Sequence, residues 1–317
     1  MKPCVLLWLD EAPVYRAAVE GEGLADRVEL HELRAADRPA PDLLARCEAL
    51  LAWRVPPGVL AQAPRLRWIQ ALTAGVEGWL TRSDLGESIA LTCARGTHRV
   101  QMPENILGAL FHLTKPYAGA AFDQRERRWT RRVSEPLAGK TLGILGLGAI
   151  GRELARKAAA LELTVIGTKR APAPLPHVER VYPPEETAEV LGRADFVLLL
   201  LPVTRETRGF MNAARLRQMR PTAYLLNFAR GELVVDADLV EAVRVRTIAG
   251  AVLDVFTTEP LPPEHPFWVT EGITVLPHIG GLHPERDRLV AELFVDNLRR
   301  FLAGAPLREV VDRARGY

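Results

Sequence analysis

The chain has 317 residues, 48% apolar and 25% charged, and carries a formal net charge of +2 at neutral pH. This is an ordinary globular composition, and the length is sufficient for two domains. The near-neutral charge argues against nucleic acid or an anionic membrane surface as a partner, and the longest apolar stretch, FVLLLLPV, is too short to span a bilayer.

The cysteines and the N-terminal segment indicate a cellular compartment. Cys4, Cys47 and Cys93 are far apart, odd in number and without metal-ligand spacing. They predict free thiols in a reducing environment rather than disulfides or a metal site. The apolar run at residues 4–9 is too short for a signal peptide, and acidic residues follow it directly. We therefore expect a cytoplasmic protein.

The first hundred residues alternate short apolar runs with helical patterns. CVLLWL (4–9) predicts a strand, PDLLARCEALLAW (41–53) a helix that leads into a strand, and RLRWIQAL (65–72) another strand. This alternation predicts a small βα domain.

A long helical pattern follows at residues 103–122, with apolar residues at helical spacing from Ile106 to Phe111. The basic segment RERRWTRR (125–132) comes next. We interpret it as a solvated helix face or arm, because no known nucleic-acid-binding motif accompanies it; a nucleic-acid patch is the minor alternative.

A second βα series begins after this arm. Its strands are nearly all apolar, as expected when a sheet is covered on both faces; they read TLGILG, LTVIGT, FVLLLLP, AYLLNFA, IAGAVLDVF and ITVLP. Helical patterns separate them, which predicts a doubly wound parallel sheet of the Rossmann type. An amphipathic helix is expected over 284–303, and APLREVV (305–311) is a candidate final strand.

A glycine-rich turn joins the first strand of this series to an amphipathic helix. Gly146 permits a sharp turn, Gly148 leaves room for a pyrophosphate and Gly151 permits close packing of helix on sheet, which together predict dinucleotide binding. The next strand ends in Lys169 and Arg170, where a carboxylate would normally contact the ribose 2′-OH. Two cations suit a 2′-phosphate and thus NADP(H); the alternative is that both side chains point into solvent.

Three polar residues follow later strands of the same series. Arg230, Glu259 and His278 each come after an apolar run, and the carboxyl ends of parallel strands border one crevice. Histidine can donate a proton near neutral pH, a carboxylate at its other ring nitrogen favours imidazolium, and arginine can bind a carboxylate. Taken singly, each residue also has a non-catalytic interpretation: Arg230 as a helix cap or surface charge, Glu259 as part of a turn and His278 as a structural residue.

In this order, TAGVEGW, GKTLGILGLGAIG, LPVTRETRGFMN, NFARGE, DVFTTEPLP and PHIGG resemble the D-isomer-specific 2-hydroxyacid dehydrogenase family over essentially the whole chain. The glyoxylate/hydroxypyruvate reductase branch is the most similar, partly because of HPFW and the missing acidic residue. The resemblance implies a two-domain α/β fold, with a Rossmann-type domain at 99–287 and a smaller flavodoxin-like substrate domain at 1–98 and 288–317. It also implies a homodimer through the cofactor domain and an interdomain cleft that closes on substrate.

The resemblance also implies the site residues. Arg230, Glu259 and His278 would be catalytic, with His278 as acid/base. The cofactor would contact Gly146, Gly148, Ala149, Ile150, Gly151, Thr168, Lys169, Arg170, Leu201, Pro202, Thr207, Phe228, Asp254 and Gly280, with Asp254 at the nicotinamide amide. The substrate would contact Trp53, the backbone of Ala74, Gly75 and Val76, Arg230 and His278. Trp129 would reach toward a partner's active site; for Trp53 and Trp129 the alternative is packing.

The implied reaction is reduction of a small 2-keto acid, glyoxylate or hydroxypyruvate, to the D-2-hydroxy acid. NADP(H) is the expected cofactor, with NAD(H) possible. One alternative is an NAD-dependent phosphoglycerate or lactate dehydrogenase. For phosphoglycerate, Arg54 and Arg95 are candidates to pair with the substrate phosphate. A more remote alternative is a nucleotide-sensing binding protein similar to the corepressors that share this fold.

Overall fold

The computed structural model describes residues 2–316 and divides into two compact units. One unit comprises Met1–Thr97 and His283–Tyr317, and the other comprises His98–Leu282. The first unit thus ends at residue 97, against 98 expected from the sequence, and resumes at 283, against 288.

The unit built from both ends of the chain contains five strands: β1 (Cys4–Trp8), β2 (Glu29–Leu33), β3 (Cys47–Ala52), β4 (Trp68–Ala71) and β5 (Ala90–Thr92). They form a parallel sheet in the order β2-β1-β3-β4-β5, which is the flavodoxin-like order. Its helices are α1 (Ala12–Gly21), α2 (Pro41–Arg46), α3 (Glu77–Leu80) and α10 (Arg286–Ala303). The expected flavodoxin-like fold of the smaller domain is confirmed.

The C-terminal helix belongs to the core of this unit. Phe294 of α10 stacks on Trp68 of β4 with ring centroids 5.4 Å apart, and Tyr15 of α1 meets the same phenylalanine edge-on. All three side chains are fully buried. A stacked aromatic pair contributes stabilisation beyond the burial of its apolar area. These contacts therefore hold the middle of α10 against the sheet.

The second unit contains seven strands: β6 (Thr141–Leu145), β7 (Thr164–Thr168), β8 (Arg180–Tyr182), β9 (Phe196–Leu199), β10 (Tyr224–Asn227), β11 (Gly250–Leu253) and β12 (Ile273–Val275). They form a parallel sheet in the order β12-β11-β10-β9-β6-β7-β8. Its helices are α4 (Gln101–Thr114), α5 (Tyr117–Arg125), α6 (Ala149–Ala159), α7 (Thr187–Arg193), α8 (Ala213–Leu216) and α9 (Asp236–Arg244).

This strand order confirms the expected Rossmann-type sheet. The order reverses between the neighbours β6 and β9, and ligands of doubly wound sheets bind outside the carboxyl ends of the strands at such a switch point. The five inner strands, from β11 to β7, are buried nearly throughout, as the continuous apolar runs predicted, whereas the edge strands β12 and β8 are partly exposed.

The prediction of a single helix over residues 103–122 is wrong, because two helices occupy this part of the chain. Lys115 has extended backbone angles (φ −115°, ψ 139°) immediately before Pro116. Proline disfavours the α conformation in the residue before it, so α4 ends at Thr114 and α5 begins at Tyr117.

The prediction that APLREVV forms a final strand is also wrong. Within the described residues this segment makes only an isolated antiparallel bridge, Thr92 with Val310. The sequence reading missed β2, β5 and β8, which are short or polar and therefore carry little apolar signal. Among residues 2–316, no helix combines the length and apolarity needed to cross a membrane.

Candidate active site

The glycine-rich turn follows β6 and leads into α6. Gly146 has φ +110°, and a Cβ there would lie 2.7 Å from the Leu200 carbonyl oxygen. A Cβ on Gly151 would lie 2.8 Å from the Gly146 carbonyl oxygen, whereas a Cβ on Gly148 would have no atom within 4 Å. Two glycines are therefore required by packing, and the third opens space in front of the α6 N-terminus, which is a natural anion site.

A basic pair follows the neighbouring strand. β7 ends at the buried Thr168; Lys169 is half-buried and Arg170 is exposed. The Lys169 Nζ lies 3.5 Å from the carbonyl oxygen of Ala171, and Arg170 contributes to lowering the pKa of the Glu206 carboxyl, whose largest cause is a hydrogen bond from Thr204. The place usually taken by a carboxylate thus carries two cations.

All the residues expected at the cofactor lie at or just beyond the carboxyl ends of β6, β7, β9, β10, β11 and β12. Leu201, Pro202 and Thr207 belong to the turn after β9. The Thr207 hydroxyl donates to the Pro202 carbonyl (2.6 Å) and accepts from the Thr204 N–H (2.7 Å). Thr207 therefore fixes the shape of this turn.

Glu259 and His278 form a hydrogen-bonded pair. His278 Nδ1 lies 2.6 Å from Glu259 Oε2, and Glu259 Oε1 accepts from the Phe256 N–H at 2.9 Å. The backbone bond orients the carboxylate, and a carboxylate at this distance favours the ring tautomer that has its N–H at Nδ1. The side chains are 49% and 34% exposed, which leaves the histidine accessible to a ligand.

The loop that carries His278 is held by a buried carboxylate. Asp254 is 1% exposed, and its two oxygens accept from the N–H groups of Ile279 (2.8 Å) and Gly280 (2.9 Å). Burial raises the pKa of this carboxyl above its ordinary value, and the two backbone donors offset only part of that rise. A Cβ on Gly280 would lie 2.6 Å from Asp254 Oδ2 and 2.8 Å from Phe228 Cδ1, so the backbone approach requires glycine.

Asn105 is a further anchor that the sequence reading missed. Its side-chain amide, on α4, donates to the carbonyl oxygens of Ile279 (3.2 Å) and Gly280 (2.9 Å). His278 itself has φ +51°, a conformation that costs energy for a residue with a side chain. Four hydrogen bonds, two accepted by Asp254 and two donated by Asn105, hold the backbone that follows this strained residue. No local sequence pattern marks Asn105, because its partners lie more than 170 residues away.

Arg230 follows β10 and precedes a short 3₁₀ helix, Gly231–Leu233. The buried Asn227 shapes this turn, since its side chain donates to the Arg230 carbonyl (2.8 Å) and accepts from the Ala229 N–H (3.1 Å). A Cβ on Gly231 would overlap the backbone of Phe256, beyond the end of β11. The fold thus brings Arg230, Glu259 and His278 to the same sheet edge, beyond the adjacent strands β10, β11 and β12.

The expected substrate residues Trp53, Ala74, Gly75 and Val76 lie in the other unit, beyond the carboxyl ends of β3 and β4. The Thr73 hydroxyl donates to the Gly75 carbonyl (2.6 Å) and fixes this turn. The Trp53 side chain is half exposed, and Trp129 is 96% exposed. The alternative that Trp129 packs against the described part of the chain is therefore wrong.

Comparisons with known proteins show which proteins this chain is similar to. The family model described as D-isomer specific 2-hydroxyacid dehydrogenase, NAD binding domain, matches residues 107–280. The chain is 31% identical to glyoxylate/hydroxypyruvate reductase A of Serratia proteamaculans, over 96% of this chain and 98% of that protein.

Solved structures superpose over the whole length. A D-isomer specific 2-hydroxyacid dehydrogenase of Xanthobacter autotrophicus in complex with NADPH and MES is 30% identical, with a TM-score of 0.88 and complete coverage of both chains. An NADPH-dependent glyoxylate/hydroxypyruvate reductase of Sinorhizobium meliloti, in complex with NADP and sulfate, is 29% identical, with a TM-score of 0.84 and the same coverage.

Proposed function

Because the chain belongs to the D-isomer specific 2-hydroxyacid dehydrogenase family, we propose that it reduces small 2-keto acids of the glyoxylate/hydroxypyruvate type to D-2-hydroxy acids with NADPH. The Glu259–His278 pair carries this proposal, because an acid/base candidate and a glycine-rich dinucleotide turn lie at the same carboxyl edge of one sheet. The Serratia and Sinorhizobium relatives, which are reductases of this type, support the substrate class.

The chain's own residues divide the work of the reaction. The nicotinamide, when bound, supplies the hydride that adds to the keto carbon. His278 donates a proton from Nε2 to the carbonyl oxygen, which becomes the hydroxyl of the product. Glu259 stabilises the imidazolium through Nδ1 and keeps the ring oriented. The Arg230 guanidinium binds the substrate carboxylate and aligns the carbonyl group.

The cofactor preference rests on Lys169 and Arg170. The α6 N-terminus and the open space at Gly148 suit a pyrophosphate, and the basic pair suits a 2′-phosphate. NADP(H) is the preferred cofactor in this proposal and NAD(H) a weaker one. The relatives bound to NADPH and NADP support it.

The two units take different roles in this proposal. The unit His98–Leu282 binds the dinucleotide, as the matching NAD-binding family model supports. The other unit binds substrate through Trp53 and the backbone of Ala74, Gly75 and Val76. Among residues 2–316, no acceptor receives the N–H groups of these last three residues, so they remain available to a carboxylate.

We also propose a cytoplasmic homodimer that assembles through the dinucleotide-binding unit. α5 and the segment after it expose large apolar side chains: Tyr117 (73%), Phe122 (57%), Trp129 (96%) and Val133 (93%). An exposed apolar set of this size is typical of an interaction surface. Cys4, Cys47 and Cys93 are free and buried, as suits a reducing compartment.

The deciding experiment is initial-rate reduction of glyoxylate and hydroxypyruvate with NADPH and NADH side by side. Turnover of either keto acid with a lower KM for NADPH supports the whole proposal. Turnover with NADH preferred would remove the role of Lys169 and Arg170 and favour an NAD-dependent lactate or phosphoglycerate dehydrogenase. Cofactor binding without turnover of any 2-keto acid would favour the nucleotide-sensing alternative.

A further inference from the structure

Arg286 is the first residue of α10 and one of the less exposed cations of its unit, with a side-chain exposure of 13%. A positive charge at a helix N-terminus opposes the helix dipole. Asp287 follows it in the first turn and accepts from Arg286 Nη1 at 2.7 Å. Helix electrostatics alone would place an acid here, so the position of the guanidinium requires another explanation.

The other contacts of Arg286 lead to the proposed substrate side. Its Nη2 donates to the Leu72 carbonyl oxygen at 3.0 Å, and its guanidinium carbon lies 4.7 Å from the centroid of the Trp53 ring. Asp287 also accepts from the Tyr15 hydroxyl at 3.1 Å, which fixes the carboxylate from the α1 side. One guanidinium thus joins the start of α10 to the segments that follow β3 and β4.

Both segments carry residues of the proposed substrate site. Trp53 directly follows β3, and Leu72 directly precedes the turn over residues 73–76. The Trp53 ring is half exposed, so packing restrains it on only part of its surface. A planar guanidinium can stack face-on on an indole while its edge donates to a carbonyl, and the tetrahedral lysine ammonium has no plane with which to stack.

We propose that Arg286 is a positioning residue that orients Trp53 and the backbone after Leu72, and that it thereby sets selectivity among small 2-keto acids. This inference rests on the proposed function, in which Trp53 and the Ala74–Val76 backbone contact substrate. The carboxylate and keto group are common to all these substrates. A displaced indole therefore affects hydroxypyruvate, which has a hydroxymethyl group, more than glyoxylate, which has a hydrogen in its place.

The test compares Arg286→Met with wild type by measuring kcat and KM for both keto acids and for NADPH. Losing the stacked cation and its carbonyl bond should raise the KM for hydroxypyruvate about tenfold and that for glyoxylate less than about threefold. The kcat and the KM for NADPH should stay within about twofold of the wild-type values. The contacts of Arg286 act on substrate binding equally before and in the transition state, and they do not involve the cofactor. Arg288→Met is the matched control, since this neighbouring cation is exposed and pairs with Glu285 at 2.6 Å.

A second background separates positioning from general damage to the fold. In Trp53→Leu, adding Arg286→Met should change the selectivity between the two keto acids by less than about twofold, because the ring that it orients is gone. If Arg286→Met fails to fold, Arg286→Lys replaces it, and at least a threefold rise in the KM for hydroxypyruvate is then expected.

Unchanged selectivity in a folded Arg286 variant of an active enzyme overturns this inference and leaves the proposed function standing. Equal losses for both keto acids, with kcat falling in parallel, overturn it in the same way. Wild type that turns over neither keto acid removes the proposed function, and the inference falls with it.

Discussion

In the proposed reaction, the Glu259–His278 hydrogen bond gives each nitrogen of the imidazole ring a separate role. Since Nδ1 faces a carboxylate at 2.6 Å, Nε2 is the nitrogen left for the substrate oxygen. His278→Ala should lower kcat by about 10²–10⁴, which is the usual contribution of a positioned acid/base. Glu259→Gln should lower kcat by a smaller factor, because the ring keeps a partner but loses the negative charge.

Steady-state kinetics check this prediction, with NADPH affinity measured by protein-fluorescence titration. His177→Ala is the matched control, because His177 is exposed and also has positive φ (63°). Turnover near the wild-type value in His278→Ala, with NADPH binding intact, would falsify the proposed proton donor.

At the same scale, Lys169 and Arg170 should determine the preference for NADPH over NADH. Replacing both by alanine should raise the KM for NADPH by about tenfold to a hundredfold, since charge-assisted bonds to a phosphate are lost. The KM for NADH should change less than about threefold, because NADH has no 2′-phosphate. Arg180→Ala is the control: Arg180 is exposed at the amino end of β8, away from the carboxyl edge of the sheet. The wild-type NADPH preference in the double variant would contradict this role.

At the scale of elements, an ion pair fastens the connection between β3 and β4. Arg82 donates to the carbonyls of Val55 (2.7 Å) and Pro56 (2.9 Å) and to Asp84 Oδ2 (2.7 Å), and Asp84 also accepts from the Leu60 N–H. Both charged side chains are nearly buried, at 12% and 10% exposure. Burial alone would raise the pKa of Asp84, but the Arg82 bond and the backbone donor together hold it below its ordinary value.

The lowered pKa predicts how this contact depends on pH. The folded-state pKa lies below that of the unfolded chain, about 3.9, so the stabilisation is present above about pH 4 and is lost as the pH falls through the folded-state value. Asp84→Asn should therefore reduce the free energy of unfolding by about 1–3 kcal/mol at pH 6–8, and by less below about pH 4. Urea unfolding across pH measures this difference. The exposed Asp26→Asn is the control, and a pH-independent difference would contradict the prediction.

At the scale of the whole molecule, the exposed apolar set around α5 should form the dimer contact. Light scattering after gel filtration should give about 70 kDa, twice the 35.0 kDa of one chain. Tyr117→Asp combined with Val133→Asp should shift the mass toward 35 kDa, because charges would be buried without partners. Val245→Asp, at another exposed apolar side chain (60%), is the control and should remain a dimer. A wild-type mass near 35 kDa would remove the homodimer from the proposal.

Local signals in the sequence were strong enough to predict much of this protein. Apolar runs marked the central strands of both sheets, because a strand covered on both faces needs apolar residues throughout. The spacing of Gly146, Gly148 and Gly151 predicted the phosphate turn, and the two cations after β7 predicted the cofactor preference. Short polar strands such as β2 were not predicted, because an edge strand can remain partly exposed and so needs no continuous apolar run.

Only the tertiary structure decided how the proposed site is held together. Asp254 and Asn105 anchor the loop after His278, and Arg286 stacks on Trp53, although more than 170 residues separate two of these pairs. Such hydrogen bonds and stacks depend on which strand ends become neighbours. Residue type and spacing report local conformation and burial, so the sequence by itself determined the central strands of both sheets, the glycine-rich turn and the residues proposed to react. Tertiary packing alone determined the contacts that orient those residues.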